Sequence, residues 1–336
     1  VDVVGLAQTG TGKTAAFVLP IVSKLLSDAE TVVKPGSPRA LIVTPTRELA
    51  EQVLTCVRSF SPKQGFKSMA VYGGLRIFTQ IRDLRNPIDI LVACPGRLID
   101  LMDQGAINLS DVKTVVLDEA DQMLDMGFIG PIKHILSCVS KERQTLLFSA
   151  TMAKAIEQLA REVMNSPKKI QATSKAAPTT IEHSYYPVSD HLKKDLLKEF
   201  ISTSETSSVL VFTRTKHAAD KLAYFLEHKG VSATSLQGDL SQSQRKRAMD
   251  GFRSGKFTVL VATDIAARGL DVSSVSHVVH FDLPETVEAY LHRSGRAGRA
   301  EREGEAVSMV SHGQEGKLKR IERVLGLRIQ RKQLEN

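Results

Sequence analysis

Short apolar runs recur along the first half of this chain at near-regular intervals: Val3–Leu6, Ala40–Val43, Ser68–Tyr72, Ile88–Ala93, Thr114–Leu117 and Thr145–Phe148. Between them, apolar residues fall at helical spacing, as at Ala15, Phe17, Val18, Ile21 and Leu25, and across Glu48–Phe60 and Ile129–Val139. Strand-length runs alternating with amphipathic helices predict βαβ units, and so a mostly parallel sheet covered by helices on both faces. The rhythm pauses over residues 165–180, which hold Pro167, Pro178 and small polar residues. It restarts with Val209–Phe212, Ala233–Leu236, Thr258–Ala262, His277–Phe281 and Ala306–Val310. The expected fold class is therefore α/β with two domains, residues 1–166 and 181–336, joined by a linker over 167–180. A last helix is predicted from Leu318, Ile321, Val324 and Leu325, with its Lys and Arg residues facing outward.

Composition agrees with two globular domains: 336 residues, 42% hydrophobic and 24% charged. The longest apolar runs are of strand length, too short to cross a membrane as helices. Three cysteines, Cys56, Cys94 and Cys138, have neither metal-ligand spacing nor an even count for a disulfide framework. They point to a reducing, cytoplasmic setting. The net charge of +8 is uneven, since residues 317–336 alone hold seven Lys and Arg against two Glu. Such a balance suits a polyanionic partner without identifying one.

Two stretches carry candidate chemistry. The first, Ala7-Gln8-Thr9-Gly10-Thr11-Gly12-Lys13-Thr14, lies between a strand-like run and a helical pattern. Its glycines permit backbone shapes that turn successive amides toward an anion, at a helix start whose dipole favours negative charge. Lys13 would reach the outer phosphates of a nucleotide, and the Thr14 hydroxyl would ligate Mg²⁺. Ala7 stands where such loops usually begin with glycine. The second stretch, Asp118-Glu119-Ala120-Asp121, directly follows an apolar strand. A carboxylate there is placed to hold Mg²⁺, with Asp118 as the metal residue and Glu119 set to polarise an attacking water.

Asp-Glu-Ala-Asp is also the name-giving motif of the DEAD-box RNA helicases, and the chain resembles that family along essentially its whole length. Pro45-Thr46-Arg47-Glu48-Leu49-Ala50 resembles motif Ia, Gly73-Gly74 the GG element, and Pro95-Gly96-Arg97 the core of motif Ib. Ser149-Ala150-Thr151 resembles motif III and Val211-Phe212-Thr213-Arg214-Thr215 motif IV. Residues 262–271 resemble motif V, and His292-Arg293-Ser294-Gly295-Arg296-Ala297-Gly298-Arg299 motif VI. Residues 209–218 and the C-terminal end look most like the bacterial RhlE type.

The resemblance implies two RecA-like domains and an ATP-dependent RNA helicase that closes on RNA. Thr9, Gly10, Thr11, Gly12, Lys13, Thr14, Gly269 and Asp271 would bind ATP, with Mg²⁺ on Thr14 and Asp118. Lys13, Asp118, Glu119, Arg296 and Arg299 would be catalytic, the two arginines solvent-facing until the domains close. Asp121, Ser149, Thr151 and His292 would couple the domains, with Ser149 and Thr151 hydrogen-bonded to Asp121. RNA would lie along the other edge of both domains, held by Pro45, Thr46, Arg47, Gly74, Gly96, Arg97, Arg214, Gly238 and Thr263. Such contacts grip phosphates without reading bases, so little sequence preference is expected. Ribosomal or RNA-decay proteins are further expected partners, and a membrane is not.

Several positions depart from the family pattern. Cys94 stands where Thr is usual before Pro-Gly-Arg, which removes a hydroxyl. Gln237-Gly238-Asp239 replaces a His-Gly element, and Ser294 and Ala297 take places where Ile and Thr are common. The adenine-reading Q motif would precede Val1, so further chain is expected upstream. No Asn-Lys-x-Asp guanine-reading element occurs. A one-domain phosphate-loop kinase leaves the second α/β half unexplained. A DNA-directed helicase is separated only by the family match. An ATP-gated clamp without turnover would lose Glu119 or Arg299, and both are present.

Overall fold

The computed structural model describes residues 1–7, 11–28, 32–60, 66–171, 181–204, 206–267, 275–298 and 304–333. The described residues form two compact units that divide between residues 171 and 181.

The first unit runs β1 (Val3–Leu6), α1 (Lys13–Ser27), β2 (Ala40–Val43), α2 (Arg47–Phe60), β3 (Ser68–Val71), α3 (Ile77–Leu84) and β4 (Ile90–Ala93). It continues with α4 (Pro95–Asp103), β5 (Thr114–Leu117), α5 (Ala120–Asp125), α6 (Ile129–Ser137), β6 (Gln144–Ser149), α7 (Lys154–Val163) and β7 (Lys168–Gln171). Seven strands form one parallel sheet in the order β3-β4-β2-β5-β6-β1-β7. Because strand side chains alternate, each central strand feeds two cores. Leu41, Val43, Leu91, Ala93, Val115 and Leu117 pack against α4 to α7, while Ala40, Ile42, Ile90, Val92 and Val116 pack against α1 and α2.

The second unit comprises β8 (Ile181–Pro187), α8 (Lys193–Thr203), β9 (Val209–Thr213), α9 (Lys216–His228), β10 (Ala233–Leu236), α10 (Gln242–Arg253) and β11 (Val259–Thr263). It ends with α11 (Asp264–Ala267), β12 (His277–His280), α12 (Val287–Ser294), β13 (Gly304–Val310), α13 (Glu315–Leu325) and β14 (Gln330–Arg331). Its seven strands are again parallel, in the order β10-β11-β9-β12-β13-β8-β14. Val209, Val211, Val259, Val261 and Val279 pack on α8 and α9, while Tyr290 of α12 and Leu318 and Ile321 of α13 form a second cluster with Leu283 and Val310.

Three strands depart from the sequence expectation. β7 lies inside the predicted linker yet pairs with β1, and all four of its residues are exposed, so burial left no apolar mark on it. β8 buries Ser184 and Tyr186 rather than an aliphatic run, and β14 spans two exposed residues. α13 forms as predicted, burying Leu318 and Ile321, while Val324 is 60% exposed.

Candidate functional site

In the first unit, the order of strands sorts the candidate residues. Gly73-Gly74 follows β3, Pro95–Arg97 follows β4, and Pro45–Arg47 follows β2; these are three neighbouring strands. Asp118–Asp121 follows β5, Ser149–Thr151 follows β6, and the glycine-rich loop follows β1; these are the next three. The expectation that RNA would take the opposite edge from ATP is therefore corrected for this unit. Both residue sets lie at the carboxyl edge, where parallel α/β sheets collect ligands, and they divide it side by side.

Gly12 sits at the N-cap of α1 with φ of 86°, a left-handed shape that favours glycine, and Lys13 and Thr14 open the helix. Thr9 and Gly10 lie outside the described residues. Asp118 is buried, and its Oδ1 accepts the Glu119 amide at 3.0 Å. Burial pushes its carboxyl up to about 6, while nearby Lys13 pulls it down. Glu119, also buried, holds a left-handed conformation with φ of 51°. That conformation is costly for a residue with a side chain and clusters at functional sites. Among the described residues no group of three or more His, Cys, Asp or Glu could hold a metal alone. A buried carboxylate near a lysine suits Mg²⁺, which is usually held by one or two carboxylates plus nucleotide phosphates.

Asp121 gathers the segment after β6. Its Oδ2 accepts the Ala150 amide at 3.0 Å, the Thr151 amide at 3.2 Å and the Thr151 hydroxyl at 3.4 Å. Ser149 does not join this set: its hydroxyl donates to the Thr151 carbonyl at 2.7 Å. The expected Ser149–Asp121 bond is thus replaced by a local turn bond, and Ser149 shapes the loop rather than gripping the carboxylate.

At the neighbouring strand ends the three elements interlock. A side chain on Gly74, whose φ is 89°, would run into the Arg47 guanidinium. Arg97 donates to the Leu75 carbonyl at 3.0 Å. The Thr46 hydroxyl accepts the Leu49 amide at 3.3 Å and so caps α2. Pro45 is buried, and Gly96 is exposed in the first turn of α4. Cys94 makes no side-chain cap bond to α4. Burial pushes its thiol up to about 12, which leaves it without nucleophilic character.

In the second unit, Gly238, Thr263 and Arg214 mark the carboxyl ends of β10, β11 and β9, again three neighbours. Gln237 holds the Gly238 turn: its Nε2 donates to Asp220 at 3.1 Å and its Oε1 accepts the Asp239 amide at 2.6 Å. Arg296 belongs to the opposite edge, since Ala297 bridges Val275 just ahead of β12. It lies away from the edge that carries Gly238, Thr263 and Arg214. Arg296 is buried, at 8% exposure. His292 is half-buried on α12. Gly269, Asp271 and Arg299 lie outside the described residues.

Two buried arginines, Arg293 within the motif VI stretch and Arg245, have partners that the sequence did not foretell. Arg293 donates to both Asp264 oxygens and to the Asp282 carbonyl at 2.7 Å, and its guanidinium lies 4.9 Å from the centre of the Phe212 ring. Arg245 donates to the carbonyls of Gln237 at 3.1 Å and Ala266 at 3.3 Å. The available signal was an arginine at a core-facing helical position, three after Tyr290 in one case and three before Ala248 in the other.

Residues 1–159 match the DEAD/DEAH box helicase family, and residues 192–301 match the helicase conserved C-terminal domain. The chain is 44% identical over 332 residues to the DEAD-box ATP-dependent RNA helicase CshA of Geobacillus kaustophilus, covering 98% of this chain and 70% of that protein. It is 41% identical over 330 residues to the ATP-dependent RNA helicase DeaD of Buchnera aphidicola, covering 98% of this chain and 54% of that protein. The structure of S. cerevisiae Dbp5 bound to RNA and ADP BeF3 superposes with a TM-score of 0.83 at 30% identity, covering 98% of this chain and 85% of that one. Each unit thus has the RecA-like fold.

Proposed function

We infer function from family: this chain belongs to the DEAD-box ATP-dependent RNA helicases. We propose that it is their catalytic core, an RNA-stimulated ATPase whose domains, residues 1–166 and 181–336, close on RNA and locally open short duplexes. The observation that carries this reading is the sorting of the first unit's carboxyl edge, with the glycine-rich stretch, Asp118–Asp121 and Ser149–Thr151 on three neighbouring strand ends and Pro45–Arg47, Gly73-Gly74 and Pro95–Arg97 on the next three.

In this reading Lys13 and the amides at the start of α1 hold the nucleotide's phosphates. Asp118 and Thr14 would hold Mg²⁺, which would supply positive charge to the phosphates. The strained backbone of Glu119 aims its carboxylate at the attacking water, and Arg296 meets charge developing on the transferred phosphoryl group. Asp121, Thr151 and His292 link this chemistry to domain closure, with Ser149 shaping the turn. Thr9, Gly10, Gly269, Asp271 and Arg299 belong to the same proposal. Pro45, Thr46, Arg47, Gly74, Gly96 and Arg97, with Arg214, Gly238 and Thr263, contact the RNA backbone. Residues 209–218 support an RhlE-like type, and the relative named CshA supports a CshA-like one. No helix among the described residues is long and apolar enough to cross a membrane; a cytoplasmic setting and ribosomal or RNA-decay partners complete the proposal.

Glu119→Gln tests it. The variant keeps the closing contacts but lacks the water-activating carboxylate, so it should hold RNA longer in ATP than the unaltered chain. Arg296→Gln should bind ATP, lose RNA-stimulated turnover by roughly 10³, and release RNA quickly. Equal RNA release by the two variants would show that hydrolysis and closure are arranged otherwise. Stimulation by single-stranded DNA as strong as by RNA would favour the DNA-directed alternative.

A further inference from the structure

The carboxyl edge of the second sheet does not stop at Arg214. Beyond β9 the sheet continues with β12 and then β13. The segment after β12 carries Glu285, and the helix after β13 carries Lys317 in its first turn. One carboxylate joins the two strand ends: Glu285 Oε2 accepts Lys317 Nζ at 2.6 Å, and Oε1 lies 3.5 Å from Arg214 Nη2. All three side chains are largely exposed, at 57% for Arg214, 65% for Glu285 and 43% for Lys317. The Lys317 hydrogen bond comes first among the influences that hold the Glu285 carboxyl below its ordinary range, with Arg214 adding to it.

This arrangement does little for the fold. Exposed ion pairs are worth little once screened by salt. A cation in the first turn of a helix also opposes the helix dipole, so α13 gains nothing from Lys317 there. The same geometry has an evident use in binding. A carboxylate bridging two cations presents two oxygens from one centre, as a backbone phosphate does, and a phosphate diester accepts from the same donors. Arg214 also stands at the end of the row begun by Gly238 and Thr263, so Lys317 extends that row by two strands.

We propose that Lys317 is a further contact for the RNA backbone, and that Glu285 is a displaceable carboxylate keeping Arg214 and Lys317 poised until a phosphate takes its place. This rests on the RNA-binding role of Arg214 proposed above. It makes Glu285 a brake on affinity: its charge repels the incoming strand and competes for both donors. RNA binding must break the Glu285 contacts before it gains its own.

The test is the affinity of the chain for a fluorescent single-stranded RNA, with a non-hydrolysable ATP analogue, across a salt series. Glu285→Gln should tighten binding by roughly threefold or more at low salt, an advantage that shrinks as salt screens it. Lys317→Gln should weaken binding and lower the slope of log affinity against log salt by about 0.7, the value for one lost phosphate contact on a single strand. The Glu285→Gln gain should shrink in a Lys317→Gln background, because the two residues act on one phosphate. Unchanged affinity in Glu285→Gln, or an unchanged salt slope in Lys317→Gln, overturns the proposal. Arg214→Gln separates the two levels: if it weakens RNA binding while the other variants do nothing, only the extension fails. If it too leaves binding unchanged, the RNA role of this edge falls with it.

Discussion

Arg293 and Asp264 form a two-pronged ion pair, Nε to Oδ1 at 2.6 Å and Nη2 to Oδ2 at 2.7 Å. It joins α12 to the first residue of α11, two stretches that carry separate motifs. The same guanidinium reaches the Asp282 carbonyl, and the Asp282 carboxylate accepts the Arg214 amide at 2.8 Å. A single buried side chain therefore ties the carboxyl end of β9 to the helix that leads into Arg296.

Arg293→Lys should break this tie while keeping the charge, because lysine lacks the planar fork and cannot stack on Phe212 in the same way. Disrupting one side of a buried pair is costly, and a loss of about 2 kcal/mol or more is expected in the second unit. Thermal unfolding measures that loss. RNA-stimulated ATP turnover should fall further than ATP binding does. A variant with unchanged stimulation would reduce Arg293 to a packing residue.

Gly74→Ala should weaken RNA binding through Arg47. The left-handed backbone at Gly74 costs an alanine about 1–2 kcal/mol, and its new methyl group would displace the Arg47 guanidinium. If the effect runs through Arg47, Gly74→Ala adds little in an Arg47→Ala background, as measured by RNA affinity. Strict additivity of the two substitutions would separate them.

Acid should destabilise the second unit through its buried histidines. His280 is fully buried, stacked 4.6 Å from Tyr290, with its Nε2 3.2 Å from the Ser294 hydroxyl. Burial, then the charges of Arg293 and His183, hold its imidazole well below the ordinary 6.5. Burial lowers His183 as well, which meets the Tyr290 hydroxyl at 2.9 Å. Groups with depressed folded-state values bind fewer protons than in the unfolded chain, so stability present above about pH 6.5 is lost as pH falls below it. Melting temperature compared at about pH 7.5 and about pH 5.5 should drop less in His280→Phe, which keeps the aromatic stack without the titrating ring. An equal drop would place the acid sensitivity elsewhere.

The alternation of apolar runs and helical spacing determined both parallel sheets, because a strand buried on both faces must be apolar at consecutive positions, as in Leu41-Ile42-Val43. The candidate stretches after β1 and β5 were equally legible, since a motif of residues adjacent in the chain can be read without the fold. The strands without that signature, β7, β8 and β14, were not. They lie toward one side of their sheets, where exposure or buried polar side chains remove the apolar mark. Only the tertiary structure set the order of strands, and with it the division of one edge between two sets of residues. It also decided the partners of single side chains, turning Ser149 to its own loop, burying Arg296, and bringing Glu285 between Arg214 and Lys317. Those choices depend on contacts between residues as far apart as Arg214 and Lys317, and no local periodicity records them.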